Sequence, residues 1–72
     1  MHAGKVKFHN GLTIDVEHFQ KSGQVSLELG RAGQSMGFLF LRNSREEVLA
    51  SLDELRAIVA ALPAQTGLSP AR

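Results

Sequence analysis

The sequence predicts an α+β domain: a four-stranded antiparallel sheet in the order β-β-β-β-α, with one C-terminal helix packed on one face. Three observations predict it. Two runs that alternate apolar and polar residues flank the tripeptide His9-Asn10-Gly11. Two further apolar runs, Val25–Leu29 and Met36–Arg42, follow glycine-bearing loops. After Ser44 the apolar period changes from that of a strand to that of a helix and holds until Pro63.

The first hairpin pairs Lys5–Phe8 with Leu12–Val16, and parity fixes its register. An Asn10-Gly11 turn alone sets Val6 against Asp15 and mixes the two faces. A loop of His9, Asn10 and Gly11 sets Phe8 against Leu12, Val6 against Ile14 and Lys5 against Asp15. The second register is expected, because a one-residue slip sends half the core side chains into water. Gly11 then takes the left-handed position of the turn, where glycine has no steric penalty. The third strand turns Val25, Leu27 and Leu29 inward and Ser26 and Glu28 outward, after the connection Gln20-Lys21-Ser22-Gly23.

The fourth strand is apolar on both faces. Regular alternation puts Met36, Phe38 and Phe40 on one side and Leu39 and Leu41 on the other. A long apolar edge strand is a pairing hazard unless something covers it, and one helix covers one face. These five residues are therefore the expected dimer or partner interface. The helix begins at Ser44 as N-cap, with Glu47 completing a capping box. Val48, Leu52, Leu55, Val59 and Leu62 form a stripe at spacings of four and three, flanked by Leu49 and Ile58. Such a helix is about 27 Å long, enough to cross a sheet about 20 Å wide. Residues 1–63 form the single domain, and 64–72 read as a flexible tail.

At 72 residues without cysteine, the chain has no disulfide or thiolate metal site to staple it. Oligomerisation is the expected source of extra burial. Eight Lys and Arg against seven Asp and Glu give no global pull toward nucleic acid or anionic membrane. No run approaches a membrane span, and the absence of cysteine suits a cytoplasmic setting.

Catalytic patterns fail on context. Gly33-Gln34-Ser35-Met36-Gly37 matches G-x-S-x-G, but a strand follows it where a nucleophile elbow needs a helix. No histidine lies after His18 to complete a Ser-acid-His order. Gly30-Arg31-Ala32-Gly33 matches the G-x-x-G of KH domains but joins two strands, not two helices. His2, His9 and His18 lack metal-site spacing, and Asp15, Glu17 and Glu28 read as a solvated sheet face. The expectation is a protein without catalytic residues, metal or cofactor.

One end of the sheet offers charge. Lys5, Lys21, Arg42 and Arg45 are expected there together with the positive end of the helix dipole, as an anion or nucleic-acid contact. The β-β-β-β-α order over residues 4 to 62 resembles the topology of Whirly, Pur-alpha and transcriptional-coactivator proteins. That resemblance implies dimerisation and single-stranded nucleic-acid binding. The reading that follows is a small homodimeric interaction module acting by binding another protein. The alternative is a nucleic-acid-binding regulator working through the basic end.

Overall fold

The computed structural model describes residues 1–64; all of the expected tail except Ala64 lies outside them. The elements are β1 (His2–Lys7), β2 (Leu12–Phe19), β3 (Gln24–Arg31), β4 (Gln34–Ser44) and α1 (Arg45–Ala60). The strands form one antiparallel sheet in sequential order, and the C-terminal helix contacts β3 and β4. The fold is the α+β arrangement expected.

Turn chemistry fixes the registers. In the first hairpin Lys5 pairs with Asp15 and Val6 with Ile14. The Phe8 N–H donates to the Leu12 carbonyl at 2.8 Å, the Gly11 N–H to the Phe8 carbonyl at 3.1 Å, and Gly11 has φ 87°. Asn10 Oδ1 accepts from the Leu12 N–H at 3.1 Å, a side chain substituting for backbone in the turn. The β3–β4 turn is Ala32-Gly33, both left-handed at φ 53° and 80°, the twist that suits a two-residue hairpin. Gly30 belongs to β3 rather than the turn. A Cβ there would meet Thr13 Oγ1 at 3.1 Å and the Gln34 carbonyl oxygen at 3.2 Å.

Pairing of Ile14 with Leu29 and Val16 with Leu27 gathers one apolar face, joined by Val6. Asp15 opposite Glu28, with Lys5 beside it, gives the polar face. β4 departs from this regularity. Its 11 residues run against the 8 of β3, with register shifts at Val25/Leu27, Leu27/Glu28 and Leu29/Gly30. Phe40 consequently pairs with Leu27 but Phe38 with Glu28. The expected sharing of one face by Phe38 and Phe40 is thus corrected: bulges insert unpaired residues and reset the alternation. Gly37 at φ 108° and Arg42 at φ 56° carry the distortion.

Ser44 ends β4 and caps α1. Its Oγ accepts from the Glu47 N–H at 3.1 Å, and the Glu47 carboxylate accepts from the Ser44 N–H at 3.0 Å. The helix then meets the sheet chiefly through its first turn. Val48 is 5% exposed, but Leu55 is 58% and Ile58 60%. The longest strand, the 11-residue β4, spans about 36 Å, and the longest dimension of the molecule is 49 Å, with a 16-residue helix of about 24 Å to account for the difference. The helix therefore carries the molecule on past the end of the sheet. Among the described residues Leu27 and Val48 are the buried apolar side chains.

Candidate functional site

Two surfaces carry chemistry, and the first is apolar. Of the five β4 residues expected at an interface, Met36, Phe38, Leu39 and Leu41 are all at least half exposed. Phe40 is only partly exposed and sits opposite Leu27, on the apolar face of the sheet. The bulges also change what this edge can do. A strand interrupted by three register shifts presents no continuous ladder to a second edge. Its side chains, rather than its backbone, are available for contact.

The larger apolar surface is on α1 and was not expected. Leu49, Leu52, Leu55, Ile58, Val59 and, beyond the helix end, Leu62 are exposed. The expected partner of this stripe is the sheet. The available signal was its width. A sector covering half the helix, with strict four-three spacing through Leu62, suits a helix partner as well as a sheet.

The second surface is charged, and the structure divides it. Lys21 lies in the β2–β3 turn, Arg42 near the end of β4 and Arg45 at the start of α1, all at one end of the sheet. Lys5 does not join them, which corrects the expected cluster. It occupies a middle rung opposite Asp15, its Nζ 3.8 Å from the carboxylate, and lines a cleft with Lys7 and Arg31 toward the other end. Antiparallel strands place residues by their distance from the turns, and Lys5 is closer to the Gly11 turn than to the Lys21 turn. Arg45 places its guanidinium 3.8 Å from the Glu46 carboxylate, which offsets its charge.

Lys21 and Arg42 line a cleft of about 330 Å³ with His18, Phe19, Gln20, Ser22 and Met1. The Arg42 guanidinium carbon stands 4.2 Å from the centroid of the Phe19 ring, and its Nε donates to Gln24 Oε1 at 3.1 Å. Phe19 carried no signal in the sequence; its role depends on a long-range register.

The remaining candidates make local contacts. Ser35 lies inside β4, where its Oγ accepts from the Gly37 N–H at 3.3 Å. His2 Nε2 lies 3.0 Å from Asp15 Oδ1 on the exposed sheet face. Among the described residues no three His, Asp or Glu side chains converge on a metal position. The Glu47 carboxyl is held below its ordinary pKa by the Ser44 backbone N–H, then by the Ser44 side chain and Asn43. No helix among the described residues is long and apolar enough to cross a membrane.

No known family, curated protein or solved structure matches this chain. The resemblance of element order therefore rests on topology alone.

Proposed function

We propose that this chain is a small non-enzymatic interaction module that works as a homodimer and binds another protein, with the cytoplasm as its compartment. One observation carries the reading: the α1 stripe is exposed along most of its length while Leu27 and Val48 are the only apolar side chains buried among the described residues. A chain of 72 residues without cysteine needs burial from somewhere. A second copy presents the same stripe, and two such stripes related by a two-fold axis cover each other. Leu52, Leu55, Val59 and Leu62 form the seam, with Leu49 and Ile58 widening it.

The β4 patch of Met36, Phe38 and Leu39 lies toward the opposite end of the protomer from the helix. It stays open when the helices pair, and we assign it to the protein partner. Its exposed aromatic ring and flexible methionine suit an apolar peptide segment. Sedimentation equilibrium at micromolar concentration tests the dimer: twice the chain mass supports the reading, and a monomer overturns it. Capture from native extract, repeated with Phe38→Asp, tests the partner; a partner retained equally by the variant removes the β4 assignment.

A further inference from the structure

We propose that the cleft between the β2–β3 turn and the end of β4 is a phosphate-binding site, with Arg42 and Lys21 as its ligands. Arg42 adopts φ 56°, a left-handed conformation that is costly for a bulky side chain. Residues held in such conformations persist where their surroundings over-determine them, and they cluster at ligand sites. Here the surroundings are specific. The Arg42 N–H donates at 2.8 Å to Oγ of Ser26, a residue 2% exposed. The side chain is then fixed by the Phe19 ring and by Gln24.

These contacts orient the guanidinium without neutralising it. One of its five N–H donors is used by Gln24, and stacking on Phe19 uses none. Among the described residues neither Arg42 nor Lys21 enters an ion pair, whereas Glu17 faces the Met1 ammonium, Asp15 faces His2 and Lys5, and Glu46 faces Arg45. Among the described residues no carboxylate lines the cleft, and the Glu17 carboxylate is paired with the ammonium of Met1 at 2.7 Å. Two uncompensated cations, beside a Met1 ammonium already matched by Glu17, suit a dianion better than a single carboxylate. The planar fork of Arg42 grips two oxygens while Lys21 adds a mobile point charge. The cleft, about 330 Å³, holds a phosphate group and one ring-sized substituent. All these residues belong to one protomer, so the site stands whether or not the chain dimerises.

The phosphate can belong to a small ester or to a single-stranded nucleic-acid backbone, and one experiment distinguishes them. The full chain is titrated with inorganic phosphate and, separately, with a short single-stranded oligothymidine at fixed ionic strength, following backbone amide signals by NMR. The expected result is saturable shifts at Lys21, Ser22 and Arg42. Lys21→Gln, which leaves the Arg42–Phe19 stack intact, weakens phosphate binding roughly tenfold, and Arg42→Lys, which loses the fork, does so at least equally. An oligonucleotide that binds much more tightly than phosphate and shifts the same residues assigns the site to a backbone; equal affinity assigns it to a small ester. Shifts that fail to saturate, shifts reproduced by chloride at matched ionic strength, or undiminished binding by Lys21→Gln each overturn the proposal.

Discussion

Replacing Leu55 by alanine separates a helix that is exposed in use from one that is covered. In the protomer Leu55 is 58% exposed and sits mid-helix. Full burial of a leucine side chain is worth about 1.5–3 kcal/mol, so covering the exposed fraction yields about 0.9–1.7 kcal/mol. The two-fold axis doubles this, to about 1.7–3.5 kcal/mol per dimer. The dissociation constant of the dimer should therefore rise roughly 20- to 400-fold in Leu55→Ala. The protomer itself has little to lose, since alanine is the better helix former and the side chain is mostly in water. Sedimentation velocity over a dilution series reads the dissociation constant, and far-UV circular dichroism at a concentration where both proteins are monomeric reads the helix. An unchanged dissociation constant would refute the seam. A collapse of monomer helix content would show instead that Leu55 packs within its own chain.

Three further outcomes follow from local geometry. Ser44→Ala removes the hydroxyl that accepts from the Glu47 N–H while keeping the backbone N–H that donates to the Glu47 carboxylate, and should lower stability by about 1 kcal/mol in thermal unfolding, with the loss concentrated at the start of α1. Because the Glu47 carboxyl titrates below the ordinary value of about 4.3, its contribution is full above that pH and disappears as pH falls through the lowered folded value. Protection of the first-turn amides relative to their intrinsic exchange at each pH should fall on acidification through that range, and less so in Glu47→Gln, which keeps a neutral acceptor. Gly37→Ala should cost about 1–3 kcal/mol in denaturant unfolding through backbone strain at φ 108°, since a Cβ there meets nothing within 4 Å. Gly4→Ala, also in open space but with no left-handed φ, is the control and should be near neutral.

What could be read from the residues was what local rules decide. The parity of Val6, Phe8, Leu12 and Ile14 around Gly11 specified the first register, because only one loop length keeps those side chains together. Ser44 and Glu47 specified the helix start through contacts three residues apart. The faces of β4 were not legible. Bulges depend on how the strand bends against β3, and of the distorted positions only Gly37 shows a residue chosen for its backbone freedom. The course of α1 was not legible either. Its stripe demands an apolar partner without naming one, and sheet and second helix satisfy it alike. The Arg42–Phe19 stack joins residues on β4 and β2, strands that are not neighbours, across the intervening β3, so no sequence spacing announces it.

The central claim is that α1 buries its stripe against a second copy of the chain. Isotope-filtered nuclear Overhauser spectra on an equimolar mixture of labelled and unlabelled protein test it most directly. The account predicts intermolecular contacts from the methyl groups of Leu52, Leu55, Val59 and Leu62. Intermolecular contacts absent from those methyls, with intramolecular contacts from them to the apolar face of β2 and β3 instead, would contradict it.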